Sequence, residues 1–220
     1  MKPVRDRRDS RWDSHREQRR AELVTAAVEA IRAHGAGVGM DDVAAAAGTS
    51  KTVVYRHFQD RTGLYVAVCE AVAATLVTRI RAAVDAAREE TGSPHAMVAA
   101  GIDAYLWLIE NDREVYRFVV HRPLLDAGTT DPVTDLTTVI GDQLAAVIGG
   151  HLRVAAVVDD AVRQPSAART WGHAIVGLVR GAADDWLARP DGTTRAELTA
   201  RLTDLAWTGL AGLRTPEVTP

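Results

Sequence analysis

The chain is poor in the residues from which catalytic and metal sites are built. One cysteine, Cys69, stands among 220 residues, so no internal disulfide can form, and its Ala- and Val-rich surroundings suit a thiol acting as a small hydrophobe. A redox role would require an electropositive, accessible setting that nothing around Cys69 supplies. The seven histidines, His15, His34, His57, His95, His121, His151 and His173, are scattered and do not cluster at metal-ligand spacing. Neither a glycine-rich phosphate loop nor a G-x-S-x-G elbow occurs. The sequence therefore predicts no enzyme, no cofactor and no metal. No apolar run approaches the roughly 20 residues needed to cross a bilayer, and the first residues are charged where a signal segment would be apolar. The expectation is a cytoplasmic protein without a membrane partner.

What the chain does contain is enough apolar residue, 47% against 25% charged, for one or two ordinary cores. The net charge of −3 does not suggest a polyanion as partner, but its distribution does. Residues 1–68 hold twelve Lys/Arg and nine Asp/Glu, a balance of +3, and the remainder carries −6. Cationic character gathered at one end can attract nucleic acid. The first eleven residues are arginine-rich and lack apolar periodicity. They read as a flexible basic arm, either reaching a minor groove or solvated, its aspartates cancelling much of its field.

The most informative stretch runs from Asp41 to Phe58. Gly48 can take the left-handed conformation that ends one helix, and Thr49 or Ser50 can cap the next. Val43, Ala44 and Ala47 share one face of the first helix; Val54 and Phe58, four apart, give the second an apolar stripe to pack on it. Lys51, Thr52, Tyr55 and Arg56 are left outward. Lysine and arginine suit phosphates and guanine edges, threonine a hydrogen bond or a thymine methyl, and tyrosine a phosphate, so this face fits a major groove.

Ala44, Ala47, Gly48, Ser50, Tyr55, His57 and Phe58 match an A-x-x-A-G-x-S-x-x-x-(L/V)-Y-x-H-F core, and the chain thereby resembles the TetR-type transcriptional regulators. The match covers residues 17–70 by motif and the rest by length and helical pattern. The resemblance implies an all-α fold of about nine helices: a flexible basic arm (1–13), a helix-turn-helix head (14–60), a helical ligand-binding and dimerisation body (61–214) and a short tail (215–220). It implies DNA contacts by Thr49, Ser50, Lys51, Thr52, Tyr55, Arg56, His57 and Arg61. Three departures stand out: Met40 where threonine is frequent, Thr52 where a small residue or proline is frequent, and Arg61-Thr62-Gly63 where lysine and an acidic residue are usual. Gly63 is expected to weaken the first turn of its helix.

The remaining pattern is helical. A capping box, Ser14 with Glu17, predicts a first helix ending at Gly35. Leu64, Val68, Val72, Leu76, Ile80 and Val84 recur every four residues and predict a long fourth helix. Ser93-Pro94 opens a fifth, Asn111-Asp112 a sixth that ends before Pro123, and Asp131-Pro132 a seventh that ends at Gly149-Gly150. The valine-rich segment from Leu152 to Val162 reads as a short helix or irregular connection. Ser166 is expected to cap the next helix, and Thr194 with Glu197 the last. These two long apolar helices are expected to pair.

In the family resembled, that pair forms a four-helix homodimer interface, which Gly177 and Gly181 would let close tightly, and a two-fold dimer implies a palindromic double-stranded operator. The family also implies a small-molecule cavity in the body. Candidate contacts are Met97, Tyr105, Trp107, Tyr116, Phe118, His121, Arg122, Trp171 and Ile175, suited to an apolar or amphipathic effector, although each could equally be core. His173 could be an interface histidine or a group that orients the effector. The expectation is a ligand-responsive repressor; the alternative is a DNA-binding protein whose body takes a protein partner.

Overall fold

The apolar spacing is realised as helices throughout. The computed structural model describes residues 7–121, 137–138, 140–142, 144–146 and 165–211, and those in regular structure are α-helical, with no strand among them. The helices are α1 (Arg7–His34), α2 (Met40–Ala46), α3 (Lys51–Phe58), α4 (Arg61–Thr91), α5 (Pro94–Asn111), α6 (Arg113–His121), α7 (Pro165–Ala188) and α8 (Arg195–Ala211). Residues 137–138, 140–142 and 144–146 are also helical. The expectations for 122–136 and 147–164, including Arg122, the Asp131-Pro132 cap and the valine-rich segment, lie outside the described residues.

Two compact units form. The first comprises α1 to α3, α4 up to Val72, and α6; the second comprises α4 from Ala73, α5, α7 and α8. The first unit is built on Leu23, Ala27 and Ile31 of α1, Val43 of α2, Val54 and Phe58 of α3, and Leu64, Tyr65 and Val68 of α4, all essentially buried. The amphipathic helix α6 adds Val115, Tyr116, Phe118 and Val119 to this core and leaves Arg113 and Arg117 in solvent. Three polar ties hold it. The Arg32 guanidinium donates to both oxygens of Asp112 at 2.7 and 2.9 Å. Glu114 Oε2 accepts from the Ala36 amide at 3.2 Å, and the buried Tyr65 hydroxyl donates to the Val119 carbonyl at 2.8 Å. Phe118 packs on Tyr65, ring centroids 5.4 Å apart.

In the second unit, α5 is apolar on several faces, with Ile102, Leu106 and Ile109 buried. The last helix α8 packs chiefly along α5, and only lightly on α7. The expected α7–α8 pairing is therefore a minor contact within the chain. Arg195 explains the preference: its guanidinium donates to Asp103 and Glu110 of α5, each at 2.8 Å, while Leu202 and Ala206 are buried.

Several local expectations change. α1 starts at Arg7, so Ser14 and Glu17 lie inside it and form no cap. No glycine or proline interrupts 4–34, and arginine and glutamate are good helix formers, so the helix propagates past Ser14. α7 likewise begins at Pro165, which makes Ser166 a helical residue. The Thr194–Glu197 box does form: the Thr194 amide donates to Glu197 Oε2 at 2.8 Å and the Glu197 amide to Thr194 Oγ1 at 3.3 Å. These bonds hold the Glu197 carboxyl below its ordinary pKa. α4 contains an 18-residue window of mean hydropathy 1.5, apolar and long enough to cross a membrane, which the search for apolar runs overlooked. Its apolar stripe packs inside the protein: Leu64, Val68, Val72 and Leu76 are all buried.

Gly63 departs from expectation most. A γ-turn joins α3 to α4: Gln59 has φ +67° and ψ −53°, and the Asp60 amide donates to the Phe58 carbonyl at 2.8 Å. The same carbonyl lies where a Gly63 Cβ would approach to 2.0 Å. Only glycine fits, and Asp60 Oδ1 caps its amide at 2.7 Å. Far from weakening α4, Gly63 permits its first turn. Gly63→Ala should cost about 1–3 kcal/mol, read from urea unfolding; an unchanged midpoint would refute the close approach.

Candidate nucleic-acid interface

The reading helix is placed by a short turn whose backbone bonds are all satisfied locally. Gly48 has φ +59°, its amide donates to the Ala45 carbonyl at 3.0 Å, and the Thr49 amide to Ala44 at 2.9 Å, closing the C-terminus of α2. The other end of α2 is capped from within: Asp42 Oδ2 accepts from the Gly39 amide at 2.9 Å. Ser50 occupies the N-cap of α3 with extended backbone, but its side chain makes no capping bond. The Ser50 carbonyl instead accepts from Val53 and Val54.

With Val54 and Phe58 buried, α3 presents the opposite side. Ser50, Thr52, Arg56 and Arg61 are exposed, and Thr49, Lys51, Tyr55 and His57 are partly so. The eight residues expected at DNA thus lie along α3 and its two flanking turns. Lys51 Nζ is paired with Asp41 Oδ2 at 2.9 Å, both well exposed, and such a pair exchanges readily for a phosphate.

The structure adds residues that the motif does not contain. Partial burial, together with Arg56 and with Arg16, Arg19 and Arg20 of α1, pushes the His57 imidazole below its usual pKa. α1 therefore contributes cationic residues to the field around the end of α3. Arg20 lies 5.0 Å over the Phe58 ring, and Arg19 pairs with Glu22 at 2.8 Å. The basic run at 16–20 was the available signal; only the packing of α1 on the motif brings it to this place.

The second unit holds a cavity of about 290 Å³. Val77, Ile80 and Val84 of α4, Met97, Val98, Gly101, Ile102 and Tyr105 of α5, Ile140, Leu144 and Ala146, and Ile175, Val176 and Val179 of α7 line it, with Arg81, Asp85 and Arg88. Met97, Tyr105 and Ile175 are thus at the wall. Trp107 is not: Arg79 covers its ring at 3.4 Å. Tyr116 and Phe118 belong to the core of the first unit, because the apolar face of α6 is spent there. Trp171 is half-buried away from the wall, and His121 is the last residue of α6. His173 also stands apart from the cavity, 3.0 Å from Asp142, whose carboxyl its imidazole and Arg169 hold below the ordinary range. The residues of α4 facing the cavity were not foreseen as wall, although the stripe that carries them was visible.

Comparison with known proteins agrees with this arrangement. Residues 23–68 match "Bacterial regulatory proteins, tetR family" and residues 79–217 match "Tetracyclin repressor-like, C-terminal domain". An uncharacterized HTH-type transcriptional regulator of Mycobacterium tuberculosis is 32% identical over 209 residues, 94% of this chain and 84% of that protein. The HTH-type transcriptional activator FasR of Mycolicibacterium smegmatis is 34% identical over 105 residues, 47% of this chain and 46% of FasR. Among solved structures, the fatty acid degradation regulator FadR of Bacillus halodurans shares the fold, with a TM-score of 0.67 at 15% identity over 87% of this chain and 96% of that one. With both halves matched and a relative similar across nearly its whole length, the chain belongs to the TetR family of bacterial DNA-binding transcriptional regulators.

Proposed function

We propose that the protein is a ligand-responsive repressor that binds a palindromic operator as a homodimer and releases it when a small molecule fills the cavity of the second unit. The observation that carries the sensor reading is the cavity itself, an apolar space with a few charged side chains at its wall. A protein-binding body would instead need an apolar face in solvent. Among the described residues Leu205, 59% exposed, is the large apolar side chain that stands out there.

The dimer reading is supported by α7. Thr170, Ala174, Gly177 and Gly181 are exposed at helical spacing along one side, and a Cβ built on Gly177 or Gly181 meets nothing within 4 Å. Within the chain neither glycine serves a close approach, so the stripe is free to receive the same helix of a second copy.

Coupling follows from connectivity. α4 lines the cavity from Val77 to Arg88 and continues without a break into the first unit, where Leu64 and Val68 are core. The wall helix α5 is joined through Asp112 to α6, which the Arg32 pair ties to α1. A ligand that displaces α4 or α5 thereby biases the placement of the reading helix, and operator affinity falls by the coupling energy, of order 1–3 kcal/mol.

Selection from a random DNA pool should return a two-fold symmetric site, and a reporter behind it should rise when the gene is deleted; no enrichment at low salt would remove the operator reading. On that site Lys51→Ala and Tyr55→Ala should each cost about 1–3 kcal/mol with helical content unchanged. If both bind as tightly as the parent protein, the α3 face is not the reader. Gly181→Arg, which the single chain accommodates, should yield a monomer by sedimentation and abolish two-fold binding; a persisting dimer would place the interface elsewhere. His57, its pKa pushed below the usual 6.5, is neutral at pH 7 in the free protein. A phosphate would raise that pKa, so binding takes up a proton and affinity should grow as pH falls below about 6.5. His57→Gln should flatten this pH profile.

A further inference from the structure

The wall of the cavity is uneven in a way that points to the shape and charge of its ligand. Its aliphatic part is made of branched residues and Met97, and Tyr105 is the one aromatic ring among the described lining residues. A flat aromatic ligand would find a single ring to stack on, whereas a flexible chain matches the surface everywhere. All three charged lining residues, Arg81, Asp85 and Arg88, come from the C-terminal half of α4 and are exposed, whereas Ile102, Ile175 and Val179 are buried. Arg88 pairs with Asp85 at 2.6 Å, so two guanidinium groups against one carboxylate leave this side of the cavity net positive.

Gly101 is the second observation. It sits inside α5, where glycine is the poorest helix former after proline, and its backbone is in no conformation that requires glycine. Its Cβ would meet Val84 Cγ2 at 3.6 Å and Ile80 Cγ2 at 3.8 Å, ordinary contacts. Neither folding nor packing calls for a missing side chain here, yet Gly101 lines the cavity. What its absence provides is open space between α4 and α5.

We infer that the cavity takes an elongated aliphatic ligand ending in an anionic group, with the chain lying over Gly101 and the anion held by Arg81 and Arg88. This rests on the sensor reading above and narrows it to one ligand class. Arginine suits the anion because its planar fork gives charge-assisted, paired hydrogen bonds to a carboxylate.

The test uses the full-length protein and two probes below their micelle concentrations, decanoate and decan-1-ol, titrated by calorimetry. Decanoate should bind more tightly than the alcohol. Replacing both arginines, Arg81→Gln with Arg88→Gln, should weaken decanoate about tenfold and leave the alcohol unchanged. Gly101→Ala should bind both as before with an equal or higher Tm, and Gly101→Leu should lose both. If Gly101→Leu does not fold, Gly101→Val provides the intermediate block. Equal binding of acid and alcohol, unaffected by the arginine changes, would overturn the anionic end group. If neither aliphatic probe binds but the neutral aromatic naphthalene does and is blocked by Gly101→Leu, the chain-like ligand is wrong and the sensor reading survives. If no compound responds to Gly101→Leu, both fall.

Discussion

A single helix, α4, carries the constraint on which the rest depends. Its apolar residues recur every fourth position from Leu64 to Val84, and the stripe serves two environments in succession. The first members are core of the unit that carries the reading helix; Val77, Ile80 and Val84 are wall of the cavity. Because helix hydrogen bonds run unbroken from Arg61 to Thr91, a shift at one end is not absorbed by a hinge inside it. The tight γ-turn at Gln59 and the close approach of Gly63 to the Phe58 carbonyl bind its first turn to the end of α3. The reading helix is thus positioned by α4 through backbone contact, which leaves little slack.

Electrostatics work locally against an unpromising total. The chain carries a net −3, but α3 and α1 together surround His57 with arginines dense enough to keep its imidazole below its ordinary pKa. That is the environment in which a phosphate is most welcome, since it relieves repulsion already present. Elsewhere arginines organise the helices: Arg32 ties α6 to α1, and Arg195 ties α8 to α5. Both pairs are bidentate or two-pronged, the geometry in which arginine is most specific.

The sequence by itself determined the all-helical architecture, the helix-turn-helix and the reading face. Each rests on local rules: a glycine at the left-handed turn, apolar residues three or four apart, polar residues on the opposite side. The same locality made Pro94, the Thr194–Glu197 box and the full stripe of α4 legible. Local rules misplaced the start of α1, because a capping pair marks a possible helix end and cannot exclude propagation through good helix formers. They also misjudged Gly63, since its helix-weakening tendency is local while the carbonyl that demands it arrives from the preceding turn.

Only the tertiary structure decided which apolar faces become core and which become wall. Tyr116 and Phe118 are as apolar in sequence as Met97 and Ile175, yet α6 spends its one face on the first unit and leaves the cavity to α4, α5 and α7. It also decided that α8 lies along α5, because Arg195 finds Asp103 and Glu110 across some 90 residues of chain. Periodicity says that a face will be buried; the partner that buries it is chosen by contacts between distant segments, which no local pattern encodes.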